Sequence, residues 1–364
     1  MSRKNENKKG ANGAGSIRKI TTTRNGKEYT YWQGRYTEGY DACTGKQIQR
    51  SITGKTQKEI AQKLRQITAE IDAKTYVAPC KLSISEWMSI WAQDYLVGVK
   101  ASTAYLYKRT IELYIDPHLG HIRLDALNAH AVQHFYNELA KPPKPDAAPL
   151  SAKSIKNIHG VLHKALKQAV LIGYLRTNPT EACILPRIIR KEMHPLEEDQ
   201  VAVFLREVQG HPHEYLYKIA LFTGLREGEV LGLGWEHIDF QTGTLTVKRQ
   251  LRREQKKGGR YYFSPPKNNK SRCLTLAPSV IQLFRLQKLE QNSMRMEAGD
   301  AWEEHGLIFT NQTGGYLSYR TVYDCFKRIV RNIGAPATRF HDLRHTFAVA
   351  SIKSGDDIKT VQEN

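Results

Sequence analysis

The sequence predicts a multidomain α+β chain: a small three-stranded sheet with a helix across it, an all-helical region, and a mixed, mainly helical region that holds a small antiparallel sheet. Three observations predict this. Strand-like runs separated by turn signals fill residues 16–52, apolar residues at helical spacing dominate 83–172, and short strands interleave with helices from 194 onward. At 364 residues the chain is long enough for two or three separate cores.

Residues 1–15 are mostly Lys, Asn, Gly and Ala, with almost nothing to bury, and read as a disordered basic arm. A first module covers 16–75. Ser16–Ile20, Glu28–Tyr36 and Lys46–Ile52 are its strands, divided by Asn25-Gly26 and Thr44-Gly45. Thr56-Gln57-Lys58-Glu59 reads as a capping box opening a helix with Ile60, Leu64, Ile67 and Ile71 on one face.

A helical domain covers 81–185. The box Ser83-Ile84-Ser85-Glu86 starts a helix through Trp87, Trp91 and Tyr95; a second runs from Ser102 to about Ile115, where Pro117 is expected to end it. A third spans roughly Asn128–Ala140, and the Lys-Pro-Pro-Lys-Pro stretch at 141–145 is a linker. The long helix from Ser151 to about Ile172 buries Ile155, Ile158, Leu162, Ala165, Leu166 and Ala169, with Lys153, Lys156, His163 and Lys167 on the opposite face.

A basic linker at 186–193 leads into a third domain, 194–364. Thr244–Gln250, Arg260–Ser264 and Arg272–Leu276 read as strands, with Gly258-Gly259 marking a turn. Helices are expected at Glu197–Gln209, Glu214–Phe222, Arg226–Leu233, Pro278–Gln291, Ser318–Ile333 and Asp342–Lys353, with Gly355 stopping the last.

Charge points to the partner. The 55 Lys and Arg against 36 Asp and Glu give +19 and a pI near 9.6, which suits a polyanion, and nucleic acid leads. Up to Cys80 there are 16 basic and 7 acidic residues, about half of the excess in under a quarter of the chain. In this setting Arg35 and the Lys153, Lys156, His163 and Lys167 face read as DNA contacts rather than as plain solvated surface. No apolar run approaches the about 20 residues that span a bilayer, and no signal stretch opens the chain, so a soluble cytoplasmic protein without a membrane partner is expected. Cys43, Cys80, Cys183, Cys273 and Cys325 lie far apart without a Cys-x-x-Cys pair and read as reduced thiols. His159 and His163 have the spacing of a helical zinc pair, but Gly160 stands where a zinc protease needs glutamate. No nucleotide loop is present either.

Two segments carry the chemistry: Thr223-Gly224-Leu225-Arg226-Glu227-Gly228-Glu229 and His341-Asp342-Leu343-Arg344-His345-Thr346. Two arginines, planar and permanently charged, can grip the oxygens of one phosphodiester. His341, three residues before Arg344, lies on the same helical face. Glu229 sits at helical spacing from Arg226 and reads as its buttress.

These segments, with Leu233, Trp235, Ile238 and Asp239 behind the first and Pro266-Lys267-Asn268-Asn269-Lys270-Ser271 between them, resemble the tyrosine recombinase (phage integrase) family in order and spacing. The basic arm with Asn12-Gly13-Ala14-Gly15-Ser16-Ile17 resembles the arm-type DNA-binding domain of integrases from conjugative transposons and related phages. The resemblance covers nearly the whole chain and implies an arm-binding domain, a SAM-like core-binding domain and a catalytic domain.

It also implies roles. Arg226 and Arg344 would clamp the scissile phosphate, with Glu229 and His345 in support. His341 would act as a general base or a donor to the phosphate, and Lys267 would protonate the leaving 5′-oxygen, with Lys270 the rival. Attack by tyrosine would store the bond energy in a 3′-phosphotyrosyl link, so no cofactor, ATP or metal is expected. The implied partners are double-stranded DNA at core-type and arm-type sites, a homotetramer in a synaptic complex, an excisionase and a host DNA-bending protein. A DNA-binding regulator that competes for attachment sites, and a type IB topoisomerase, are the rival functions.

The sequence departs from the family at one place. The family's further His or Trp and its nucleophilic tyrosine do not appear after Arg344; the reading is a chain shortened before the nucleophile, able to bind DNA and unable to cut it. Tyr316, Tyr319 and Tyr323 precede His341, on the wrong side of the motif, and are assigned to a preceding helix that would have to invert its place relative to His341 for one of them to serve.

Overall fold

The computed structural model describes residues 15–24, 27–41, 44–73, 76, 78–143, 146–189, 192–256, 258–266 and 269–355. The expected basic arm up to residue 14, the Asn25-Gly26 turn, Cys43 and the tail beyond Gly355 lie outside them. The chain divides into two compact units, Met1–Ile189 and Arg190–Asn364.

The first unit opens with antiparallel strands β1 (Ser16–Arg24), β2 (Lys27–Tyr40) and β3 (Gln47–Gly54), with β2 central. Strand alternation sends Gly34 and Tyr36 to the buried face and Arg35 to the exposed one, level with Ser16 and Ser51. Helix α1 (Gln57–Asp72) covers the buried face with Ile60 and Leu64. Its cap differs from a full capping box. The Thr56 hydroxyl accepts the Glu59 N–H, but the Glu59 carboxylate accepts the Lys55 N–H, one residue early.

Helices follow: α2 (Ile84–Asp94), behind a complete Ser83/Glu86 box, and α3 (Ala101–Thr110). Contrary to expectation, Pro117 does not end the helical path at Ile115. A π-helical turn at Ile111–Ile115 lets the Asp116 N–H reach the Ile111 carbonyl, and Pro117 then occupies the first turn of α4 (Asp116–Leu119), where its missing N–H costs nothing. Helices α5 (Ala129–Leu139) and α6 (Ala152–Leu171), capped by Asn128 and Ser151, complete the core. The whole expected apolar stripe of α6 is buried, and the Trp87 indole donates to the Ala165 carbonyl at 3.1 Å.

The second unit contains α7 (Glu198–Glu207), α8 (Glu214–Thr223) and the short α9 (Glu227–Leu231). Strands β4 (Ile238–Asp239) and β5 (Thr244–Val247) come next, and β6 (Gln250–Arg253) pairs with β7 (Tyr261–Ser264) as a hairpin. Strand β8 (Arg272–Thr275) returns to β5, giving the order β4-β5-β8. The expected single strand Thr244–Gln250 is thus split. At the break Arg249 turns away to donate to the Gly232 carbonyl at 3.0 Å and lies over the Phe263 ring.

Helix α10 (Pro278–Ala298) outruns its expected end at Gln291, and polar side chains serve its buried face: Gln287 and Gln291 donate to the carbonyls of Ile308 and Leu307. Helices α11 (Tyr319–Asn332) and α12 (Asp342–Lys353) close the unit. Phe204, Tyr217, Phe326 and Phe340 meet at its centre, and the Tyr217 hydroxyl donates to the Val322 carbonyl at 2.8 Å. Among the described residues no helix is long and apolar enough to cross a membrane.

Candidate active site

The site forms where α8 hands over to α9. Gly224 ends α8 in the left-handed region, at φ 63°, which lets the chain reverse. The Gly224 carbonyl is left facing inward and accepts a hydrogen bond from Arg344 Nη1 at 2.6 Å. A contact across 120 residues thereby joins the two expected arginine segments.

Arg226 sits at the N-cap of α9, and Glu229, wholly buried, reaches back to it. The carboxylate accepts the Arg226 backbone N–H at 3.1 Å and Arg226 Nη1 at 2.9 Å. It also accepts both terminal nitrogens of Arg272, at 3.1 and 2.8 Å, from β8. Burial alone would raise the Glu229 carboxyl, yet the Arg272 and Arg226 hydrogen bonds hold it below the usual carboxylate range.

Arg344 has the opposite problem. Burial, then the charges of Arg226 and Arg272, lower its pKa. Three guanidiniums with one carboxylate leave two positive charges in excess, a balance that suits an anion.

His341 precedes α12. Its ring is exposed at the rim and meets His345 edge-on at 5.2 Å. The protein packed around it, then His345, Arg344 and Arg226, hold it below the ordinary imidazole range, so it is a neutral acceptor at neutral pH. Asp342 fixes the start of the helix by accepting the Arg339 N–H at 2.8 Å and its guanidinium at 2.9 and 2.7 Å. Thr346 adds a tie, accepting the Leu196 N–H at 2.9 Å.

Arg226 and His341 line a cavity of about 380 Å³ together with Glu227, Gln250, Arg252, Arg253 and Tyr319. Here one expectation changes. Tyr316 precedes α11 and stacks between Tyr261 and His305, and Tyr323 is exposed on the helix, but Tyr319 forms part of the wall beside Arg226 and His341. Its hydroxyl is occupied as a donor to the Leu251 carbonyl, and burial raises its pKa, so it stands as a protonated wall residue.

Lys267 lies outside the described residues; Lys270 is exposed between β7 and β8. In the first unit Lys153, Lys156 and Lys167 are exposed along α6, as is Arg35 on β2. His163 is not on that open face. Its Nδ1 is 2.8 Å from the Thr180 hydroxyl and its ring stacks on His159, so it packs the 178–180 turn against α6. Nothing local in the sequence marked Arg272 or the Arg252-Arg253 pair, because strand pairing alone brings them here. The Arg339/Asp342 spacing was a readable signal.

Residues 194–364 match the phage integrase family, and residues 83–140 match the phage integrase N-terminal SAM-like domain. The chain is 28% identical over 364 residues, covering 95% of it and 91% of the relative, to the tyrosine recombinase XerC-like protein of Caldanaerobacter subterraneus subsp. tengcongensis. In fold it resembles the Tn1549 transposon integrase in complex with a circular intermediate DNA, with TM-score 0.65 and 22% identity over 78% of this chain and 90% of that one. It also resembles the lambda integrase tetramer bound to a Holliday junction, with TM-score 0.54 and 20% identity over 94% of each chain. Those two likenesses are of fold, and they agree with the paired arginine segments and the two domain matches: the chain belongs to the tyrosine recombinase, or phage integrase, family.

Proposed function

We propose that this protein is a site-specific DNA recombinase that serves integration and excision of a mobile element. The observation that carries the reading is the excess of positive charge where Arg226, Arg272 and Arg344 surround Glu229, beside a neutral His341. Arg226 and Arg344 hold the scissile phosphate and stabilise the charge that gathers on its oxygens. His341 accepts the proton of the attacking hydroxyl or donates to the phosphate, and Lys267, with Lys270 as rival, protonates the leaving 5′-oxygen. The first unit supplies the rest of the DNA grip through Lys153, Lys156, Lys167 and Arg35.

The partners follow the same reading: double-stranded DNA at core-type and arm-type sites, and three further copies of the protein in a synaptic complex. The lambda integrase tetramer on a Holliday junction supports that assembly by likeness of fold. An excisionase and a host DNA-bending protein complete the proposal.

A polypeptide of residues 1–364 has no tyrosine after Arg344, and Tyr319 is committed to the Leu251 carbonyl. For that polypeptide we propose DNA binding without strand cleavage, since an arginine clamp holds a phosphate but does not break it without an in-line nucleophile. A nicked suicide duplex tests both claims. A complex seen on a native gel that vanishes on a denaturing one supports them. A protein–DNA band that survives boiling and maps to a tyrosine in this stretch overturns the second, and failure to bind DNA overturns the first.

A further inference from the structure

Glu227 is unlike its neighbours. Two residues later Glu229 is held by two guanidiniums, whereas the Glu227 Oε1 is sealed from solvent and has no hydrogen-bond partner among the described residues. Yet Glu227 lines the same cavity as Arg226, Arg252, Arg253 and His341.

The groups facing it are Arg226 beside it, Arg252 and Arg253 from β6, Tyr319 from α11, Tyr217 from α8 and His341 before α12. Among the described residues no hydrogen bond or ion pair joins any of them to its carboxyl, and burial pushes that carboxyl up to about 7. A charged Glu227 would also cancel half of the positive excess that Arg226, Arg272 and Arg344 keep after pairing with Glu229, and it would face a bound phosphate as a like charge.

We propose that Glu227 works in this cavity as a neutral carboxylic acid, so that acidification strengthens the hold on a DNA phosphate and alkalinity weakens it. The proposal rests on the reading of the cavity as a DNA phosphate site. Its sign follows from linkage. A bound phosphate favours the protonated carboxyl, so binding takes up a proton, and affinity falls as pH rises through about 7. His341 titrates in the same sense, but from a value held below the ordinary imidazole range, and its contribution is lost at lower pH.

The test is the affinity of a short arbitrary-sequence DNA duplex for the full chain, followed by fluorescence anisotropy across the pH range at constant salt. Glu227→Gln and Glu227→Ala both remove the titrating group, and Glu290→Gln is the control, a half-buried carboxyl in a different cavity. We expect both Glu227 variants to match the unaltered protein near about pH 6 and to bind about tenfold more tightly than it near about pH 8.5, while Glu290→Gln follows the unaltered protein throughout. Calorimetry in two buffers of different ionisation heat should show proton uptake on binding at about pH 7.5 that Glu227→Gln reduces. Glu227→Gln tracking the unaltered protein at every pH, or binding more weakly at every pH, overturns the proposal. If the unaltered protein binds no duplex at any pH, the DNA reading itself fails and takes this one with it.

Discussion

Arg272 holds Glu229 with both terminal nitrogens, at 3.1 and 2.8 Å, and so sets the orientation of the carboxylate that in turn holds Arg226. Because Glu229 is wholly buried and Arg272 mostly so, removing either partner strands a charge. Glu229→Ala and Arg272→Leu should each destabilise the second unit by about 3–5 kcal/mol, and the double variant should cost much less than the sum. Denaturant unfolding of the three variants measures it; strict additivity would mean that the two side chains do not act together.

Gly224 should tolerate no side chain. Its φ of 63° disfavours an L-residue, and a Cβ there would lie 2.5 Å from the Phe347 ring. Gly224→Ala should cost about 2–4 kcal/mol and loosen the Arg344 hydrogen bond to the Gly224 carbonyl. A neutral effect in thermal unfolding would show that α12 can shift freely.

The exposed lysines of α6 should reveal themselves through salt. Affinity for duplex DNA should fall with a log-log slope of about −0.9 per phosphate contact, and Lys153→Ala, Lys156→Ala and Lys167→Ala should each make the slope shallower by about one. His163→Ala should leave the slope alone and destabilise the helical core, since its ring is tied to Thr180. Three unchanged lysine slopes would return this face to ordinary solvated surface.

Cleavage should separate clamp from acid in a polypeptide that supplies the family's tyrosine. Arg226→Ala and Arg344→Ala should each lower strand cleavage roughly a hundredfold or more, with a far smaller loss of DNA binding. Lys267→Ala should be rescued by a substrate with a 5′-sulfur leaving group, which needs no proton. Rescue of Lys270→Ala in its place would move the acid to that residue.

The amino-acid sequence by itself determined the parts whose causes lie within a few residues. Ser151 starts α6 because its hydroxyl accepts the Ser154 N–H, and the buried stripe from Ile155 to Ala169 follows from helical spacing. The Ser83/Glu86 box and the stop at Gly224 are local in the same way, as are the two arginine segments that revealed the family. Tertiary structure alone decided which distant groups meet. Arg272 reaches Glu229 across 43 residues because β8 pairs with β5, and Tyr319 enters the cavity wall because α11 brings its hydroxyl to the Leu251 carbonyl. The unpaired state of Glu227 is of the same kind. A carboxylate's charge depends on the groups packed around it from four other elements, and no spacing along the chain records them.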